Sequence, residues 1–304
     1  MAIHHLEEQH AWMRLTPKQK RAIMSEKESL TIINGDGEDV THRYDLGIKV
    51  TQQKVYGKQT IEALAKHETD NGGYVFAFFN ACRTMEEEFP QFNQSDLARL
   101  MFIGTYVAWE TGQLKYDNGV PINKKTLETL VSMSRNKFAE FYKKALQSDI
   151  IREEGTDLFV NPGYFYRGSL QNVKEITKSF QYTRLFRKTV RDLYAMYNGR
   201  TIKQLALIYA VLPYVNFNYN TICYNPAEKN DTLVEPMELD KLATLLGYQS
   251  TSKLTAALRT IKYKDSPVFA FVDATGRKKK VIVNPRVIYA GDGESLKGFR
   301  ILFK

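Results

Sequence analysis

Residues 134–147, SRNKFAEFYKKALQ, and residues 250–261, STSKLTAALRTI, decide how this chain is read. In the first, Phe138, Phe141, Tyr142 and Ala145 stand at i, i+3, i+4 and i+7. In the second, Leu254, Ala257, Leu258 and Ile261 do the same. That spacing lays one apolar stripe along a helix and leaves the other face polar. Ser134 and Ser250 precede the stripes, where a hydroxyl accepts an orphan backbone N–H. Upstream of each lies a short helical pattern, NKKTLETLV or MELDKLATLL, and then a turn, Ser132-Met133-Ser134 or Gly247-Tyr248-Gln249-Ser250.

Working outward, each pair of short helices is preceded by a longer apolar helix, LARLMFIGTYVAW or LALIYAVLPYVNF, and an extended piece, QLKYD or TICYN. Each is followed by two apolar extended runs around a glycine-containing turn. These are DII and DLFV around Glu154-Gly155-Thr156, and VFAFV and KKVIV around Asp273-Ala274-Thr275-Gly276. Gly near the tip fits a hairpin. Helix, strand, helix, turn, helix, hairpin is the order of a winged helix, whose later helix commonly enters the DNA major groove.

The same order occurs twice because the sequence repeats itself. A shift of 108 carries Leu97, Ala98, Tyr106, Val107 and Tyr116 onto Leu205, Ala206, Tyr214, Val215 and Tyr224. A shift of 116 carries Leu130, Lys137, Phe138 and Phe141 onto Leu246, Lys253, Leu254 and Ala257. A shift of 123 carries Val160, Asn161, Pro162, Tyr166 and Gly168 onto Val283, Asn284, Pro285, Tyr289 and Gly291. The expected fold is therefore mainly α with small β-hairpins, in the α+β class. It comprises an N-terminal α+β cap or interaction region (1–96), winged helix 1 (97–168), a basic helical linker (169–202) and winged helix 2 (203–304).

Charge follows this organisation. The 304 residues carry 43 Lys and Arg against 34 Asp and Glu, a net charge of +9. Residues 1–96 are net −4, residues 169–203 net +6 and residues 253–304 net +8. A basic balance points to a polyanion partner, although a solvated face carries the same pattern. A groove-reading helix needs polar groups near its N-terminus, where the helix dipole also favours phosphate. The first unit offers Lys124, Ser134, Arg135, Asn136 and Lys137. The second offers Ser250, Thr251, Ser252, Lys253 and Arg259. Arg pairs with guanine and Asn with adenine in the major groove. The second hairpin tip carries Arg277, Lys278, Lys279 and Lys280, suited to phosphate. The first, with Glu153, Glu154 and Asp157, is acidic. Between the units, Arg184, Arg187, Lys188 and Arg191 stand at i, i+3, i+4 and i+7, which reads as a helix with a basic stripe clamping phosphate and ending at Gly199.

In residues 1–96, Thr16, Pro17 and Gln19 predict a capped helix, NGDG (34–37) a hairpin and IEALAKHE a short helix. The apolar run in GGYVFAFFNACRTMEEEF fits strand or helix equally. All five His lie at or before His67, none in ligand spacing with Cys82 or Cys223. No phosphate-loop or dinucleotide motif occurs. Neither an enzyme, a metal nor a cofactor is expected. Two cysteines suit a reducing cytoplasm, and no apolar run is long enough for a membrane.

The segments after the two hairpins, LFVNPGYFYRG and VIVNPRVIYAG, resemble the end of the winged helix in RepL-type plasmid replication initiators and related phage proteins of Gram-positive bacteria. There an apolar strand is followed by Asn-Pro, an aromatic residue and Gly, matching Val160, Asn161, Pro162, Tyr166 and Gly168, and Val283, Asn284, Pro285, Tyr289 and Gly291. The resemblance implies origin binding and replication initiation. The family has one such unit where this chain carries two, which leaves phage transcription control open. The expectation is a sequence-specific duplex-DNA-binding protein of a phage or plasmid in a bacterial host. The alternative is a winged-helix adaptor for a polymerase or replisome subunit.

Overall fold

The structure, a computed structural model, describes residues 12, 15–44, 52–80, 85–198, 201–273 and 279–303. Arg277 and Lys278 of the expected wing, Cys82 and Gly199 lie outside the described residues. The fold is mixed α+β and falls into two compact units, Met1–Ile61 and Glu62–Lys304. In the smaller, α1 (Pro17–Ser29) starts with the expected capping box: Gln19 N–H donates to Thr16 Oγ1 at 3.3 Å and Thr16 N–H to Gln19 Oε1 at 3.0 Å. The NGDG turn closes as a hairpin, with Asn34 Oδ1 accepting from the amides of Asp36 and Glu38 and Ile33 bridged to Asp39.

The elements that follow are α2 (Gln52–Asp70), β1 (Tyr74–Phe79), α3 (Met85–Glu88), α4 (Gln94–Gly104), α5 (Lys124–Val131) and α6 (Arg135–Gln147). Next come the hairpin β2 (Ile151–Glu154) and β3 (Asp157–Val160), then β4 (Phe165–Tyr166) and β5 (Gln181–Phe186). The second half runs α7 (Arg187–Tyr197), α8 (Ala206–Ala210), α9 (Leu239–Leu245) and α10 (Thr251–Thr260). It continues with a small ladder of β6 (Lys262–Tyr263) and β7 (Ser266–Pro267). The hairpin β8 (Phe269–Asp273) and β9 (Lys279–Val283), β10 (Ile288–Tyr289) and α11 (Ser295–Leu302) complete it.

The apolar run that periodicity could not assign is β1, a central strand. Tyr-Val-Phe-Ala-Phe-Phe is β-branched and aromatic, and the strand alternates between two packed faces. Val75, Ala77 and Phe79 face the main core, while Phe76 and Phe78 join a second cluster with Tyr166 and Val173. The sheet order is β10-β5-β1-β4, all antiparallel.

This register extends the repeat beyond its expected limits. Phe76 lies opposite Arg184, which is also its counterpart under the 108-residue shift. Phe76 pairs with Tyr166 at one sheet edge, and Arg184 pairs with Tyr289 at the other; the edge strands are related by the shift of 123. An approximate two-fold axis therefore passes through the Phe76–Arg184 pair. The same shifts relate the packing over one face of the sheet. Phe78, Tyr166, Val173 and Phe180 form one cluster, and Phe186, Tyr289, Leu296 and Phe303 the other. The copies are thus residues 74–180 and 182–303.

Within each copy the same hydrogen bonds recur. Val107 bridges Leu114 and Val215 bridges Ile222; Gln113 bridges Phe159 and Thr221 bridges Ile282. Gln113-Leu114 and Thr221-Ile222 thus lie as a bridged third strand beside each hairpin, and the turn before it holds Gly112 at φ 71° and Asn220 at φ 49°, two residue types that tolerate left-handed backbone. After the hairpins, Asn161 Oδ1 accepts from Gly163 N–H and Asn284 Oδ1 from Arg286 N–H, both at 2.9 Å. These Asn side chains turn the chain into the edge strands. The glycine two residues past each edge-strand tyrosine makes room for it. An added Cβ would lie 2.7 Å from Tyr166 Oη at Gly168 and 2.6 Å from Tyr289 Oη at Gly291.

Three expectations are corrected. The N-terminal region does not run to residue 96: Met1–Ile61 form a unit of their own, but residues 62–96 belong to the larger unit, because β1 is central to its sheet. Residues 169–202 are not a linker: 169–180 close the first copy, while β5 and α7 open the second. In the repeat alignment Val131, not Leu130, corresponds to Leu246, as Leu127 does to Leu242; all four are buried. The extra residue of the second copy falls in the turn, after the left-handed Ser132 or Gly247. The copies share one core. α4 packs against the turn Ile202–Leu205 and against α8, its own counterpart. Phe102 stacks on Tyr194 at 3.6 Å.

Candidate nucleic-acid interface

α5 starts with a capping box between Asn123 and Thr126 and ends on Ser132 at φ 52°. The chain turns there and α6 begins. Phe138, Phe141, Tyr142 and Ala145 are buried, as the spacing predicts. The stripe fixes the rest of the helix by elimination: Ser134, Arg135, Asn136, Lys137 and Lys143 are all exposed. Ser134 occupies the N-cap position, but its hydroxyl makes no cap bond. The first-turn amides of α6 therefore keep their capacity for an external acceptor. The side chains of Arg135, Asn136 and Lys137 make no hydrogen bond or ion pair with the described residues. Lys144, by contrast, pairs with Asp96 at 3.1 Å.

Lys124 is exposed, with its ammonium 4.7 Å from the centre of the Tyr142 ring. Tyr142 in turn donates to Glu153 Oε1 at 2.6 Å. Burial, and then this carboxylate, push the Tyr142 hydroxyl well above its ordinary value. One acid of the first hairpin is thereby tied back to α6, and the two-residue tip, Gly155-Thr156, carries no cation.

In the second copy Ser250 is a working cap, its Oγ accepting from Lys253 N–H at 3.3 Å. Ser250, Ser252 and Lys253 are exposed and Thr251 half-buried. Lys253 Nζ donates to Gln249 Oε1 at 2.8 Å. Exposed Arg259 lies 5.2 Å from the centre of the Phe271 ring, midway along β8. Lys279 is exposed, and half-buried Lys280 lies 4.0 Å from Asp231.

The expected basic stripe between the units does not form. Residues 181–186 are a strand, so Arg184 is not on a helix with the other cations. Tyr182, Thr183 and Phe186, β-branched or aromatic, favour a strand here. Arg184 lies 3.4 Å from Glu68 and donates to the carbonyls of Ala290 and Gly291. Arg187 is 7% exposed; its Nε donates to Thr105 O at 2.8 Å and its Nη2 to Asp117. Arg191 donates to Thr105 O, Thr105 Oγ1 and Asp117 Oδ2, and lies 3.7 Å from the Tyr106 ring centre. Burial alone would raise the Asp117 carboxyl; Arg191 and Arg187 outweigh it and hold it below its ordinary value. Only Lys188 of the four is exposed.

Arg187 and Arg191 join the first copy to the second, while Arg184 is held within the second copy and by Glu68. Arg187→Ala is expected to cost about 2–4 kcal/mol, because buried Thr105 O loses a charged donor. Lys188→Ala is expected to stay within about 0.5 kcal/mol. Urea midpoints of the two variants check this, and equal midpoints would contradict the assignment.

A cavity of about 600 Å³ is lined in part by Lys66, Lys188, Lys264 and Arg286. These cations come from separate segments, so spacing gave no signal for them. His67 in its wall lies 2.8 Å from the Pro285 carbonyl through Nε2 and packs edge-on against Phe186. Among the described residues no three His, Cys, Asp or Glu side chains are placed to hold a metal ion. No described helix is long and apolar enough to cross a membrane. Comparison of the chain with protein-family models, with curated proteins and with solved structures gave no match.

Proposed function

We propose that this chain binds double-stranded DNA through two winged-helix units, with α6 and α10 as the groove-reading helices. One observation carries the reading. Ser134, Arg135, Asn136 and Lys137 are exposed side by side on the first turn of a helix whose opposite stripe is buried. The order of helices, bridged third strand and hairpin in both copies supports it. Arg135, Asn136, Ser252 and Lys253 address base edges; Lys124, Lys137, Lys143, Arg259 and Lys279 address phosphate. The resemblance to RepL-type initiators suggests the setting: replication initiation or transcription control of a phage or plasmid in a bacterial cytoplasm, without an enzymatic step.

Gel shifts test this. Random duplex at about 50 mM salt should be bound, because several phosphate contacts suffice at that ionic strength. Arg135→Ala should then cost about 1–3 kcal/mol on the selected sequence and relax preference at one base position. Equal loss on selected and random duplex would remove the base-reading role. A second reading draws on the first hairpin, where exposed Glu153 and Glu154 repel phosphate and suit a basic protein surface. An adaptor of that kind would bind no duplex even at low salt.

A further inference from the structure

The sheet dictates how the two reading helices are disposed. Phe76 pairs with its own repeat counterpart, Arg184, and the edge strands β4 and β10 are counterparts too. In an antiparallel pair, a residue and the residue opposite it are related by a two-fold axis perpendicular to the sheet. A direct tandem array would instead place successive units by translation, with no such pairing. The axis reaches the helices through equivalent bonds. Ile150 N–H donates to Ala145 O at the end of α6, and Val268 N–H to Ile261 O just past α10. The hairpins are tied to the third strand in the same way, Leu114 N–H to Leu158 O and Ile222 N–H to Val281 O. α4 also packs on its counterpart, α8.

From this we infer that the chain reads a DNA site made of two half-sites in inverted orientation. The inference rests on α6 and α10 being the reading helices. Duplex DNA has two-fold axes of its own, and a protein with internal two-fold symmetry matches inverted half-sites. A single polypeptide here does what two identical subunits do elsewhere, with one difference. The helices are unlike, Arg135-Asn136-Lys137 against Thr251-Ser252-Lys253, so the half-sites differ in sequence. The site is inverted in geometry and asymmetric in letters.

The experiment starts from duplexes selected from a random pool by the full chain. One half of the selected site is then reversed to give a direct arrangement, and in a separate probe about 5 base pairs are inserted between the halves, turning them to opposite faces of the duplex. Both changes should weaken binding at least about tenfold, ~1.4 kcal/mol. Arg135→Ala should alter preference in one half and Lys253→Ala in the other. A direct arrangement bound within about twofold of the inverted one, ~0.4 kcal/mol, would overturn the inference while leaving DNA binding intact. So would full affinity from one half-site, or both variants acting on the same half. A chain that binds no duplex at low salt would overturn the functional reading itself, and the inference with it.

Discussion

Phe186→Ala is expected to cost about 3–5 kcal/mol and to unfold both copies in one transition. Phe186 is fully buried in β5, one of the two central strands. Its backbone N–H donates to Val287 O at 2.9 Å in the second copy. Its ring meets His67 edge-on at 4.9 Å and Tyr74 at 6.4 Å. Truncation leaves a cavity among Tyr289, Leu296, Phe299 and Phe303, in a place held by β1, β10 and α11 together. At about 2–4 °C per kcal/mol for a unit of this size, the melting temperature should fall by roughly 6–20 °C. Each copy has its own reporter. Trp109 lies in the first, 5.9 Å from Arg167, and Cys223 in the second, fully buried with its thiol pushed up to about 11 by burial. In a chain carrying Trp12→Phe and Cys82→Ser, Trp109 fluorescence and Cys223 labelling near about pH 8 should give coincident midpoints. Two separated midpoints would mean that the copies fold independently and that the shared core does not couple them.

That coupling explains which parts of the molecule were legible in the sequence. The stripes of α6 and α10 were, because a helical face is set by residues three and four apart. The outward Ser134–Lys137 set followed from the same spacing. The central sheet was not, because a strand pair joins residues about a hundred positions apart, and the two strands share little. Under the 108-residue shift only Tyr74 with Tyr182 and Phe78 with Phe186 are identical, and Phe76 faces an arginine. Of Val173 with Leu296 and Phe180 with Phe303, Phe180 and Phe303 lie outside every helix and strand and Val173 sits at the end of a single 3-10 turn, so none carries a long periodic signal. The arginines of residues 184–191 misled for a related reason. A spacing of three, four and seven describes a helix face only if the whole stretch is helical, and here the first of them lies in a strand. The destination of Arg187 and Arg191, Thr105 and Asp117, is some seventy to ninety residues away and gives no local signal. The two-fold relation could be found only by laying the repeat over the register of β1 and β5.

Duplex binding is expected to fall steeply with salt, and the slope should separate the exposed cations from the interior ones. Each phosphate neutralised contributes about −0.9 to the slope of log K against log salt. Lys124, Lys137 and Lys143 in the first copy, with Arg259 and Lys279 in the second, are exposed on or beside α6 and α10. With these five engaged, the slope is about −4.5, and affinity drops roughly 500-fold between about 50 and 200 mM salt. Replacing Lys137, Lys143 and Lys279 together by Ala should flatten the slope by about 3 and weaken all sequences alike. None of the three is buried, so the melting temperature should hardly move. Arg191→Gln should do the opposite. That side chain donates to Thr105 and Asp117 and lies over Tyr106, so its loss lowers the unfolding midpoint and leaves the slope of the folded chain unchanged. Titrations of fluorescent random duplex over a salt series measure both. A triple lysine variant with the parent slope would place the DNA on another face of the chain, and a flattened slope in Arg191→Gln would return the central arginines to the interface.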